Sequence, residues 1–136
     1  MKNIEKTKVK VRLTIESESL EPQDVTKELD IVPTISWKKG DIIKADRKRV
    51  GGSWTVSLEA EESYDITIQF GKLYEVIKGK EDKIRAIKEY CEGTIIISVI
   101  IEVENGEVPG IVIEEKFTEL VVKMGAEIDI DIYLMS

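Results

Sequence analysis

Hydrophobic and polar positions alternate strictly near the start of the chain. Val9, Val11, Leu13 and Ile15 are apolar, while Lys8, Lys10, Arg12, Thr14 and Glu16 fill the places between. A period of two sends successive side chains to opposite faces, so this stretch predicts a half-buried strand. Glu21-Pro22-Gln23-Asp24 then opens a short helix. Pro22 suits its first turn, the acidic groups suit the positive dipole end, and Val25 and Leu29 share one face. Pro33 is expected to end it. Trp54, Val56 and Leu58 alternate as the next firm strand. Ile66, Phe70, Leu73, Tyr74 and Ile77 recur at spacings of three and four, which predicts a helix from about Asp65 to Lys78, broken by Gly79. Ile84, Ile87 and Cys91 continue the pattern in a second helical piece that Gly93 ends.

Ile95 to Val103 is almost continuous in β-branched residues, the pattern of a central strand covered on both faces. After turn signals at Asn105-Gly106 and Pro109-Gly110, a third amphipathic helix carries Ile113, Phe117, Leu120, Val121 and Met124, with Gly125 just beyond. The last strand alternates again: Ala126, Ile128, Ile130, Ile132 and Leu134 face one way, Glu127, Asp129, Asp131 and Tyr133 the other. Helices interleaved with a few strands predict an α+β, two-layer sandwich related to the ferredoxin-like (split βαβ) arrangement. Its sheet would have four to five strands, with helices on one face. Residues 1–7 read as a flexible tail and residues 8–136 as a single domain. In such an arrangement the first and last strands are often neighbours, which would set Lys8, Lys10 and Arg12 against Glu127, Asp129 and Asp131.

Composition narrows the chemistry. The chain has 136 residues, a net charge of −7 and no histidine. That excludes Ser-His-Asp and Cys-His nucleophile systems, HExxH zinc sites and His-ligated haem. The lone Cys91 excludes an intramolecular disulfide and CxxC redox chemistry, and one thiol fits a reducing compartment. The N-terminal residues are charged and lack the apolar stretch of a signal peptide, and no apolar run approaches the ~20 residues of a membrane-spanning helix. A cytoplasmic location is therefore expected. The acidic balance argues against broad binding to nucleic acid or to anionic membranes.

Between residues 36 and 53 the chain reads as a loop or short hairpin, with Ile42 and Ile43 as a small edge strand. Lys38, Lys39, Lys44, Arg47, Lys48 and Arg49 lie there between Trp37 and Trp54. Cations beside tryptophan are common at binding hot spots, so Trp37, Lys38, Lys39, Asp41, Arg47, Arg49 and Trp54 form the candidate partner-binding set. The competing reading is a solvated charged loop with one or both indoles in the core. Asp129 and Asp131 can be read as oxygen ligands for a cation or as an acid/base pair, but cross-strand pairing with Lys8, Lys10 and Arg12 accounts for them without a site. Glu61-Glu62 and Glu114-Glu115 face no second catalytic group. Cys91 reads as a buried structural thiol, and Gly51-Gly52-Ser53 as a turn without phosphate-loop spacing.

The segments Leu20-Glu21-Pro22, Leu29-Asp30-Ile31-Val32-Pro33-Thr34, Lys39-Gly40-Asp41, Gly52-Ser53-Trp54 and Asp129-Ile130-Asp131-Ile132-Tyr133 occur in a recognisable order. Over about residues 8 to 134 the chain resembles a bacterial family known as domain of unknown function 4279. Asp30 stands where that pattern favours glycine. The resemblance implies a small, free-standing domain with no established chemistry, and no catalytic residue is carried over from it.

No catalytic set is present, and no cofactor or metal is called for. The function expected is a non-catalytic protein-binding module, of the kind that immunity and antitoxin proteins use to block a partner. The alternative is a small-molecule or metal-binding regulatory domain. A carboxylate enzyme and nucleic-acid binding through the basic loop rank below both. The oligomeric state is left open.

Overall fold

A computed structural model describes residues 5–135. The alternating segment forms strand β1 (Lys8–Ser17), and helix α1 (Pro22–Leu29) follows. Then come β2 (Ile35–Trp37), a small hairpin of β3 (Ile42–Lys44) and β4 (Arg47–Lys48), β5 (Gly52–Ser57) and the two-residue β6 (Glu61–Glu62). Helices α2 (Ile66–Ile77) and α3 (Glu81–Cys91), strand β7 (Thr94–Val103), helix α4 (Glu115–Met124) and strand β8 (Glu127–Leu134) complete the chain. The main sheet runs β2-β5-β1-β7-β8, with β6 added beside β1. Its pairs are antiparallel except β7 with β8. The protein is thus α+β, with four helices and a mostly antiparallel sheet.

The period-two pattern becomes one buried face. Val9, Val11, Leu13 and Ile15 of β1 and Ile95, Ile97, Val99 and Ile101 of β7 are fully buried, and their register sets Val9 opposite Ile101 and Leu13 opposite Ile97. The buried residues of the four helices, among them Val25, Leu29, Phe70, Leu73, Ile84, Phe117 and Met124, close the same core. Burying each large apolar side chain contributes roughly 1.5–3 kcal/mol, so this shared face is the main stabilising feature. Phe70 and Phe117 stack with centroids 4.3 Å apart and lock α2 to α4. No helix among the described residues is long and apolar enough to cross a membrane.

The expected neighbourhood of the first and last strands is not found. Both edges of β1 are occupied, one by β7 over Lys8–Glu16 and the other by β5 over Arg12–Ser17, so β8 adds to the outer edge of β7. Arg12 and Asp129 each stand beside Ser98 and are therefore two strand spacings, about 10 Å, apart. Such a separation exceeds the ~8 Å screening length, and no ion pair joins the two charge rows among the described residues. Lys8 faces Glu62 and Glu102 instead. β7 lies inside the sheet, but β1 is its middle strand. Ile96 and Ile100 are only half-buried, so β7 is covered fully on one face and not on both.

Helix ends depart from the simplest reading for local reasons. α1 stops at Asp30, three residues before Pro33, because Asp30 adopts φ 54° and its N–H donates to the Thr26 carbonyl at 2.8 Å. That left-handed backbone is the reason for a glycine preference there. α3 is capped the same way by Glu92 at φ 51°, one residue before Gly93. Gly93 is needed for another reason, since a Cβ there would lie 2.7 Å from the Glu16 carbonyl oxygen. Ile113 precedes α4 and is 38% exposed, so it is not part of the helix stripe. The small strand at Ile42 and Ile43 belongs to the separate β3–β4 hairpin, and the edge of the main sheet is β2. Of the expected tail, residues 1–4 lie outside the described residues. Thr7 is fully buried, its Oγ1 donating to the Glu107 carbonyl at 2.6 Å and accepting from the Glu104 N–H at 3.1 Å.

Two glycine substitutions test this packing in opposite directions. Gly52→Ala drives a methyl into the Leu20 carbonyl and to 2.9 Å from Leu20 Cβ. Overpacking of this kind costs about 1–3 kcal/mol, and urea unfolding should show that loss. Gly71 sits in α2 with no neighbour within 4 Å of an added Cβ. Gly71→Ala should raise stability by about 0.5–1 kcal/mol in the same assay.

Candidate functional site

The open face of the sheet carries the other half of each alternation. Thr14 of β1 faces Thr55 of β5, their hydroxyls 2.9 Å apart, and Trp37 of β2 faces Ser53. Ile35, two residues before Trp37, faces Thr55. Beyond Trp37 the chain turns sharply. The Lys38 N–H donates to Asp41 Oδ2 at 2.9 Å, and Gly40 takes φ 91°, a conformation glycine adopts without a side-chain clash. Gly40 N–H donates to the Arg49 carbonyl at 2.9 Å, while Arg49 N–H donates to the Asp41 carbonyl at 2.8 Å. These reciprocal bonds close the base of the β3–β4 hairpin and fix where Arg49 starts its side chain.

The Arg49 guanidinium lies over the Trp37 ring, 3.7 Å from its centroid. Stacking attracts the cation to the indole face, contributing about 0.5–1 kcal/mol at an accessible site. It also leaves the edge of the planar fork available for an oxyanion. Around this pair lies an open cleft of about 860 Å³ between the hairpin and one end of the sheet. Arg47, Lys48, Ile43 and Val50 border it on the hairpin side, and Glu16, Ser53, Glu92 and Thr94 on the sheet side. Ser17 Oγ, also in this wall, is buried without a hydrogen-bond partner among the described residues.

The sequence-derived set therefore divides. Trp37, Arg47 and Arg49 meet at the cleft. Lys38 and Lys39 are exposed on the turn outside it, and Lys39 Nζ pairs with Glu18 at 2.7 Å. Asp41 serves the turn itself. Trp54 does not join the surface at all. It is fully buried opposite Ile15, and its Nε1–H donates to Thr26 Oγ1 at 3.0 Å, pinning α1 to the sheet. Trp54 shares the buried face with Ile15, so its nearness in sequence to the basic loop does not bring it to the surface.

Ile43, Lys48, Val50, Glu16, Thr94 and Glu92 were not in the expected set. Strand parity places Glu16 and Thr94 on the open face, a signal available in the sequence. Nothing local marks Glu92, which arrives with the cap of α3. The acidic candidates form no centre. Asp129 is exposed and Asp131 half-buried on β8, and no group of three or more potential ligands is arranged to hold a metal among the described residues. Glu61 pairs with Lys72 at 2.5 Å, and the Glu114 carbonyl accepts the first N–H bonds of α4. Cys91 is half-buried against the core, its Sγ 3.9 Å from the Lys88 carbonyl.

The Lys39 ammonium, through its hydrogen bond and its charge, holds the Glu18 carboxyl below the ordinary carboxylate range. An acid depressed in the folded state contributes attachment above its free value of 4.5, and this is lost as pH falls through the lower folded value. Acid should therefore loosen the Lys38–Asp41 turn before the core unfolds. Trp37 emission, taken as wild type minus Trp37→Phe, should shift to the red in that range. In Glu18→Gln the shift with pH should be absent.

No curated protein and no solved structure matches the chain. The family profile described as Domain of unknown function (DUF4279) matches residues 7–135, nearly the whole chain, and the protein belongs to that family.

Proposed function

We propose that this domain is a non-catalytic protein-binding module that engages its partner through the hairpin cleft. The stacked Arg49–Trp37 pair at 3.7 Å is the observation that carries this reading. Arginine and tryptophan dominate interface energetics, and here the guanidinium is already held in place before any partner arrives. Exposed apolar side chains are frequent in the same segment: Val50, at the cleft, is 88% exposed, and Ile42, Ile35 and Val32, elsewhere along it, are 71%, 52% and 84% exposed. So many large apolar groups in one short segment, mixed with cations, is the composition of a protein-contacting surface more than of a solvated loop. A carboxylate-bearing, partly apolar protrusion suits such a cleft. An immunity- or antitoxin-type protein, which acts by covering a partner's working surface, fits this architecture and needs no chemistry of its own.

The same reading extends to the fold. Strand order β7-β1-β5-β2, all antiparallel, with α1 after β1 and α2–α3 before β7, supports a ferredoxin-like split βαβ core to which α4–β8 is appended. The alternative function, a regulatory domain for a small anionic ligand, draws support from the same cleft, whose volume lies within the usual range of about 300–1,000 Å³ for small-molecule sites.

The test is retention of partners on the tagged chain from its native cell, at low and moderate salt, with mass spectrometry of stoichiometric species. One partner is expected. Trp37→Ala and Arg49→Ala should each weaken it by about 2 kcal/mol or more, roughly 30-fold, with little change in melting temperature. Lys38→Ala should have little effect. A partner with a nuclease-like or other toxic domain would favour the immunity reading. Background proteins alone at both salts would overturn protein binding, and a rise in melting temperature with an anionic metabolite would favour the regulatory one.

A further inference from the structure

The two outer edges of the sheet are built differently. β2 is three residues long and begins just after Pro33, so it offers little backbone to another strand. β8 has eight residues in unbroken register with β7, from Glu127 beside Ile96 to Leu134 beside Val103. No proline, lysine, arginine or bulge interrupts it. Its other side pairs with nothing among the described residues. A long strand edge presents a row of open N–H and C=O groups, which native sheets usually blunt by such interruptions.

What guards this edge is charge. Glu127, Asp129 and Asp131 stand on the open face of β8, with Tyr133, 54% exposed, in line with them. None of the three acids is in an ion pair among the described residues. On the opposite face Ile128 and Ile130 are half-buried, while Ile132 is 49% and Leu134 79% exposed, so the apolar stripe extends past the cover of the core. A second copy of the chain, paired along the full strand, is disfavoured by this pattern. Two β8 strands overlapping along their length, antiparallel about a two-fold axis, bring odd positions opposite odd positions, which sets Asp129 against Asp131 at about 5 Å. An incoming strand with the opposite charge at alternate positions meets no such repulsion.

We propose that the β8 edge takes up an extended segment of another protein as an added strand, one alternating lysine or arginine with apolar residues. Main-chain bonds to β8 would hold the segment. Its cations would lie beside Glu127, Asp129 and Asp131, and its apolar side chains would extend the Ile130–Ile132–Leu134 stripe. This site is the outer edge of the sheet opposite to β2, and it does not depend on the reading given to the hairpin cleft.

The probe is an acetylated, amidated peptide alternating lysine with valine over the length of β8, titrated against the full chain, with a glutamate–valine peptide as control. The lysine peptide should bind, more weakly as salt rises, and the glutamate peptide should not. Backbone amide exchange should slow at alternate residues between Glu127 and Leu134. A triple Glu127→Gln, Asp129→Asn, Asp131→Asn variant should bind about tenfold more weakly, as the loss of three cross-strand charge pairs predicts. Arg49→Ala should leave peptide affinity unchanged. The proposal is overturned by no binding, by equal affinity for both peptides, by exchange protection away from β8, or by loss in Arg49→Ala with retention in a folded triple variant.

Discussion

The antiparallel ladder between β1 and β7 is the constraint on which the remaining arrangement depends. Over nine residue pairs, from Lys8 with Glu102 to Glu16 with Thr94, it sets the apolar positions of two strands side by side on one face. Because side chains alternate, the same register sends Lys10, Arg12 and Thr14 to the other face with Ile100, Ser98 and Ile96. A slip of one residue would exchange the two sets and expose the core. With its second edge taken by β5 and the short β6, β1 is closed to further partners, and β2 and β8 must find places outward from this pair.

That closure sets the outer parts of the molecule. The chain leaving β7 crosses through α4 and returns parallel beside it, as a helical crossover requires, so β8 becomes an edge strand. On the other side β5 carries β2, and the hairpin between them bends over the end of the open face. The cleft around Trp37 and Arg49 and the free edge of β8 thus arise from one ordering of strands. The face that carries Val9, Val11, Leu13 and Ile15 is fully buried with the helices, while the opposite face is covered only in part, as at Ile96 and Ile100.

Close packing at the ends of the strands adds rigidity where the chain changes direction. Gly52 passes under Leu20, and Gly93 passes against Glu16, so the start of β5 and the approach to β7 are held by contacts a side chain would prevent. Trp54 ties α1 to the sheet through Thr26, and Lys80 Nζ donates to the Leu29 carbonyl at the end of α1. Arg85 and Lys88 of α3 donate to carbonyls at the end of α4. These cations meet the negative ends of neighbouring helices, where the last carbonyls lack partners within their own helix.

By itself the sequence determined the local periods, and with them the main helices and the strands β1, β5, β7 and β8, because a buried face must repeat every two or every 3.6 residues. It also carried the family signature, the position of Trp37 beside cations, and the exclusion of histidine chemistry. Tertiary structure alone decided the rest. Asp129 and Arg12 were separated by β7, since strand order is a competition among all edges that no local period records. Trp54 was drawn inward by its partner Ile15, while Trp37, with the same side chain and similar neighbours in sequence, stayed at the surface on a strand only three residues long. The residues that complete the cleft, such as Glu92 and Val50, come together only because elements distant in sequence end at one corner of the sheet.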